Sequence, residues 1–250
     1  MTVAVALVDP PREELVLPTV VEETPLTAAD AVTLYEAMLA DFFETITETN
    51  ADVLVNYPTA DQVPGEDADP EREIREIATG VLDAATVRDL RFEVQVGSSP
   101  SAQIGNAITH LLRDEGESSA LFVDHRVPLL DRSIVDQAAI TLRRSDTVIG
   151  PAADGEVYLA GFTDLIDFTD VLEDGPLETL VERSNDAGSP VDFVRRRDVV
   201  TDARTLGTIV SLLRARRNAG AKVPAHTVRA IDELGLRLED GEIVFDRSNR

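Results

Sequence analysis

Residues 119–162 place two short apolar runs in front of acidic turns, an arrangement that narrows the fold more than any other part of the chain. Ala120, Leu121, Phe122 and Val123 run into Asp124, and a segment of helical pattern follows. Thr147, Val148 and Ile149 then run into Gly150, Pro151 and a turn holding Asp154 and Gly155. Short, continuously apolar runs suit strands buried on both faces, as in a parallel sheet covered by helices. Such sheets place their ligands outside the carboxyl ends of the strands. Asp124 and Asp154 are therefore the first candidates for chemistry.

The rest of the chain repeats the alternation. Residues 3–8 read as a buried strand stopped by Asp9, Pro10 and Pro11. Thr27 with Asp30 three residues on makes a capping-box start, and Ala31, Leu34, Tyr35, Met38, Leu39, Phe42 and Ile46 follow at helical spacing. A strand is expected at 53–56, a solvated loop at 58–70, a helix over 71–85 and a strand on Phe92, Val94 and Val96. Residues 97–100 turn into a helix carrying Ile104, Ala107, Ile108, Leu111 and Leu112. Beyond 162 the pattern predicts a helix at 177–185, a strand at 191–194 and a helix at 205–217. This order predicts an α/β fold with three α/β/α layers around a mostly parallel sheet. A helix at 223–234 and a hairpin at 236–245 around Asp240 and Gly241 are expected to form a small C-terminal appendage. With 250 residues, the economical division is a main domain at 1–219 and an appendage at 220–250.

Charge and composition exclude several functions. The net charge is −24, from 47 acidic and 23 basic residues, and Lys222 is the single lysine. Near-total replacement of lysine by arginine on an acidic surface is a halophile's habit, so the acidity says little about partners. It does argue against nucleic acid, whose phosphates require a basic face. The absence of cysteine removes thiolate catalysis and cysteine-ligated zinc. His110, His125 and His226 show no zinc-binding spacing. No apolar run approaches the roughly 20 residues of a membrane span, and the N-terminus has no leader pattern. A cytoplasmic protein is expected. No Walker A, GxGxxG or GxSxG pattern occurs.

The segments VDHRVPLL and GPAADGEVYLAGF resemble the strand-Asp and GPAxDGGYYLxG signatures of glycosyltransferase-like proteins of GT-A fold, close to the molybdenum-cofactor and phospholactate guanylyltransferases. The resemblance runs from residue 1 to about 215. It implies a nucleotide-diphospho-sugar transferase fold and transfer of a sugar or nucleotidyl group from a nucleotide sugar or nucleoside triphosphate. It implies Mg²⁺ or Mn²⁺ held by Asp124 and by Asp198, which matches the first acid of the family's RDVDTPEDL. Gly150, Gly155 and Arg12 would contact the nucleotide, and Asp154 a sugar hydroxyl, a ribose or an acceptor; His125, if it faces the cleft, would serve as a base or an acceptor contact.

The chain also departs from that pattern. The loop after the first strand, VDPPREELVLPTVVEET, has Arg12 as its only cation and no glycine. Ala107, Glu156 and Val200 stand where the family has an arginine, a glycine and a second acid. These losses support a second reading, a catalytically degenerate GT-A protein acting as a binding or scaffolding module; a guanylyltransferase of cofactor biosynthesis is the weaker alternative. Each candidate also has a plain structural reading. Asp124 can end a strand as a turn former or helix cap, Asp154 can belong to an ordinary polar turn, and His125 can be a packed histidine. Arg143, Arg144 and residues 195–197 can pair with surface carboxylates, and Asp202 is well placed as a helix N-cap.

Overall fold

The computed structural model describes residues 1–65 and 68–245; residues 66–67 of the expected loop and 246–250 of the expected appendage lie outside the described residues. The strands of the main sheet are β1 (Thr2–Leu7), β2 (Asp52–Tyr57), β3 (Arg91–Val94), β4 (Ser119–Val123), β5 (Thr147–Pro151), β6 (Val157–Phe162) and β7 (Val191–Phe193). They form one seven-stranded sheet in the order β3-β2-β1-β4-β6-β5-β7. Every pairing is parallel except those of β6, which runs antiparallel to both β4 and β5. The mostly parallel α/β architecture expected from the sequence is the one observed. The chain winds outward from β1 through β2 to β3 and returns to β4 on the other side of β1. The order reverses between β1 and β4, and in open α/β sheets such a reversal opens a crevice at the carboxyl ends of the two strands.

β6 is the element that the periodicity does not reveal. All six of its residues are buried, so its apolar run lacks the alternation that marks a half-exposed strand. Its direction is nevertheless set by chain length. Residues 152–156 separate it from β5, far too few for a parallel crossover of a dozen residues or more, whereas a hairpin needs only a few.

The helices are α1 (Pro18–Glu23), α2 (Ala28–Thr47), α3 (Pro70–Val81), α4 (Ala84–Asp89), α5 (Pro100–Thr109), α6 (Arg132–Thr141), α7 (Pro176–Asp186), α8 (Ala203–Asn218) and α9 (Ala225–Glu233). Thr27 and Asp30 form the reciprocal capping box at the start of α2. The single helix expected over 71–85 is instead two, because Asp83 accepts bonds from the amides of Ala85 and Thr86 and starts α4 afresh. A short acidic side chain competes in this way with the helix's own backbone pattern.

Two apolar layers flank the sheet. On one side, Leu34, Met38 and Phe43 of α2 pack with Ile74 of α3, Val135 of α6 and Ile209 of α8. On the other, Ile104 and Ile108 of α5 and Leu180 of α7 cover Val5, Phe122 and Phe162. The C-terminal segment is the expected helix and hairpin, with β8 (Leu236–Glu239) antiparallel to β9 (Glu242–Phe245). It is tied down by Asp41 of α2, 6 % exposed, whose carboxylate accepts bonds from the amides of His226 (3.1 Å) and Thr227 (2.6 Å) and from the Thr227 hydroxyl (2.6 Å).

Candidate functional site

Asp9 follows β1 and Asp124 follows β4, so the reversal of strand order brings two acids to one edge. The amide of Asp124 still donates to the Tyr158 carbonyl of β6 at 2.8 Å, which fixes the backbone as a continuation of the ladder. The chain then bends at His125, and the Asp124 carboxylate accepts from the amide two residues on, an Asx-type turn that brings the Arg126 side chain beside it. The Asp124 carboxylate accepts from the Arg126 amide (2.8 Å), its Nε (3.1 Å) and its Nη2 (2.7 Å). The Asp124 side chain is 8 % exposed and that of Arg126 is 38 % exposed. Burial alone would push the Asp124 carboxyl up; the charge and hydrogen bonds of Arg126, helped by His125, outweigh it and hold the group below the ordinary carboxylate range.

Arg126 also feels the other acids of this edge. Asp9 is pushed above the ordinary range by burial, with Arg126 opposing. Glu156, which precedes β6, is likewise raised by burial, opposed by Arg126 and reinforced by the charge of Asp124. The Tyr35 hydroxyl donates to the Asp9 carbonyl at 2.8 Å and anchors the loop after β1. One guanidinium thus serves three carboxylates.

His125 turns away from this edge. It is 6 % exposed, stands edge-on to Tyr35 at 5.1 Å and Phe42 at 6.2 Å, and its buried Nε2 has no hydrogen-bond partner. Burial, opposed by Asp124 and reinforced by Arg126, pulls its pKa down to about 4. The ring is neutral at pH 7 and packed into the α2 layer.

The remaining candidates are dispersed. Arg12 donates through Nε (2.9 Å) and Nη2 (2.5 Å) to Glu73 of α3 and through Nη1 to the Pro64 carbonyl (2.6 Å), which binds the loop after β1 to the loop before α3. Asp154 is an exposed left-handed turn residue, φ 54°, in an ion pair with Arg204 at the start of α8. Gly155 beside it has φ +81°, and a Cβ there would meet open space. Gly150 is required by packing, since a Cβ would lie 2.7 Å from the Tyr158 ring and 2.9 Å from Leu159. The Tyr158 hydroxyl is held on the Arg195 carbonyl at 2.5 Å, so the ring cannot swing aside. Gly150→Ala is expected to cost about 2 kcal/mol by overpacking, read as a lower denaturant midpoint with an unchanged slope.

Asp198 pairs with Arg196 at 2.9 Å and lines a different space, a cavity of about 380 Å³ shared with Asp41, Glu44, Asp131, Arg197 and Lys222. Asp202 caps α8, its carboxylate accepting from the Thr205 amide at 2.7 Å. Asp202→Ala is expected to destabilise the fold by about 1 kcal/mol, measurable by urea unfolding.

The one close grouping of metal-type donors among the described residues leaves out both expected ligands, and its Asp41 oxygens are themselves held by the amides of His226 and Thr227. Among the described residues, the group that brings three metal-type donors within 4.8 Å of one another is Asp41, Glu44 and His226; neither Asp124 nor Asp198 belongs to it. Asp124 and Asp198 are each engaged by an arginine, so they do not present a ready cage for a hard cation, which takes its bonds from free carboxylate oxygens and water. Arg126 joins Asp124 at the carboxyl edge, and neither motif nor periodicity singles it out. A local signal for it exists, because a strand-ending aspartate readily accepts from the amide two residues on, and here that turn residue is Arg126.

Comparison with known proteins agrees with this architecture. A family model described as an uncharacterized protein conserved in bacteria, DUF2064, matches residues 66–177. Among curated proteins, none matches the chain. A crystal structure from Desulfovibrio desulfuricans G20, provisionally named a nucleotide-diphospho-sugar transferase, superposes with a TM-score of 0.73 at 22 % identity, covering 92 % of this chain and 95 % of that one. The 4-diphosphocytidyl-2C-methyl-D-erythritol synthase from Anaerococcus prevotii DSM 20548 gives a TM-score of 0.50 at 12 % identity, covering 87 % and 96 %. The fold is that of the nucleotide-diphospho-sugar transferases. No helix among the described residues is long and apolar enough to cross a membrane.

Proposed function

We propose that the protein is a transferase that takes a nucleotide donor, either a nucleotide sugar or a nucleoside triphosphate, at the carboxyl edge of β1 and β4. The observation that supports it is the charged cluster of Asp9, Asp124, Arg126 and Glu156 at the point where strand order reverses, the place where open α/β sheets receive ligands. Donor and acceptor would meet over residues 1–219, in the cytoplasm, with 220–250 as a structural appendage. The Arg126 guanidinium, partly open to solvent, would meet donor phosphate oxygens through charge-assisted hydrogen bonds. Asp154, exposed on the turn before β6 and paired with Arg204, would contact an acceptor hydroxyl.

Calorimetric titration in molar potassium chloride with GTP, CTP, UDP-glucose and GDP-mannose tests this reading. A dissociation constant below about 1 mM for at least one donor, weakened in Arg126→Gln, is the expected result. Absence of heat for all four at several-fold higher concentration would reject it. The second reading, a non-catalytic module on the same fold, is favoured by one observation: Arg12, the lone cation of the loop after β1, is spent on Glu73 and Pro64. Binding of a donor with no group transfer to any acceptor offered would support the module.

A further inference from the structure

We infer that the cation of the carboxyl-edge site is Arg126 itself and that the site works without a divalent metal. This rests on the proposed donor site, and three features of the structure carry it. First, both carboxylate oxygens of Asp124 are engaged, Oδ1 by the Arg126 amide and Nε and Oδ2 by Nη2. A metal approaching Asp124 would have to displace a guanidinium held by two side-chain hydrogen bonds. It would also leave that guanidinium, whose charge is the one balancing the buried acid, without its partner.

Second, the acid that would complete a metal site is elsewhere. Asp198 is paired with Arg196 and opens into the cavity beside Asp41 and Asp131. Glu156 feels the charge of Asp124 and Asp9 that of Arg126, yet neither acid joins Asp124 in any group of three donors within 4.8 Å among the described residues.

Third, Arg126 retains capacity for a ligand. Its hydrogen bonds to Asp124 use Nε and Nη2, and more than a third of the side chain, 38 %, is open to solvent. A guanidinium presents five N–H donors in a rigid fork. The edge carrying Nη1 can bond a phosphate oxygen while the other edge stays on Asp124. The carboxylate orients the guanidinium, and the guanidinium supplies the positive charge that a bound metal would supply in a hard-oxygen site.

The experiment combines Mn²⁺ with donor binding. Mn²⁺ is titrated by electron paramagnetic resonance in molar potassium chloride, with every protein carrying Glu44→Gln to remove the separate donor group at Asp41 and His226. The starting protein is expected to bind no Mn²⁺ that depends on Asp124, so adding Asp124→Asn changes nothing. Arg126→Ala is expected to gain Mn²⁺ binding that the starting protein lacks, lost again when Asp124→Asn is added. An Asp124-dependent Mn²⁺ site in the protein that keeps Arg126 would overturn the inference. Should Arg126→Ala not fold, Arg126→Gln replaces it. A second measurement uses the unaltered protein: affinity for GTP or UDP-glucose is expected to be equal in EDTA and in Mn²⁺, and a several-fold gain with Mn²⁺ also overturns the inference. Loss of donor binding under both conditions would sink the proposed function alone, because the Mn²⁺ titration needs no nucleotide.

Discussion

Arg126→Ala is expected to lower the stability of the fold by about 3 kcal/mol, because it strands a buried carboxylate without its counter-charge. The Asp124 side chain is only 8 % exposed, so water cannot replace the two guanidinium hydrogen bonds at full strength. Arg126→Lys keeps the charge and loses the fork, and is expected to recover roughly half of the deficit. Replacing both members, Asp124→Leu with Arg126→Met, is expected to cost much less than the two single changes added together, since no lone charge is left inside. Urea unfolding of these variants and the two single changes at pH 7 gives this comparison directly. Additive losses would show that the two side chains do not depend on each other.

The second large effect is in acid. His125 has a folded-state pKa of about 4, against about 6.5 when unfolded. Between those values the unfolded chain holds a proton that the folded chain refuses, so stability rises with pH across this window. The contribution is complete above about pH 6.5 and is lost as the pH falls toward 4, by about 3 kcal/mol in total. His125→Leu removes the titrating ring together with its unpartnered Nε2 and keeps the packing against Tyr35 and Phe42. The variant is expected to lie within about 1 kcal/mol of the parent at pH 7 and to lose the extra slope below it. The acidic surface titrates equally in both proteins, so the difference between their stability curves from pH 7 to 4.5 isolates the histidine. Parallel curves would mean that the ring is not held neutral.

Much of the fold is legible in the sequence because it is local. Thr27 and Asp30 announce a capping box that the structure contains, and the Leu34 to Ile46 stripe packs as its spacing demands. The apolar run ending at Asp124 is the buried strand it reads as. Less is legible where two local signals compete. Asp83 lies inside a helical pattern and divides it, and the uniformly apolar β6 hides its direction until the five residues before it are counted.

The site is legible in location and not in its connections. Asp124 stands out for its place at a strand end, and it does stand at the edge where strand order reverses. Its partner, Arg126, lies in the same segment, VDHRVPLL, without being singled out there. Arg12 and Asp198 are grouped with Asp124 by motif, whereas the structure spends Arg12 on Glu73 and Asp198 on Arg196. His125 and Gly150, both beside strand ends, belong to packing.

By itself, the amino-acid order determined which segments become strands and helices, that the sheet is mostly parallel, and which acids end the central strands. Those properties follow from periodicity, caps and turn residues acting over a few positions. Only the tertiary structure decided what each charge faces. An ion pair depends on distances of a few ångströms between side chains that can lie far apart in sequence, as Arg12 and Glu73 do, and on how much water the surrounding layers exclude. Burial makes those choices energetically consequential: at the carboxyl edge of β1 and β4 it set one guanidinium against three carboxylates and turned the adjacent imidazole inward.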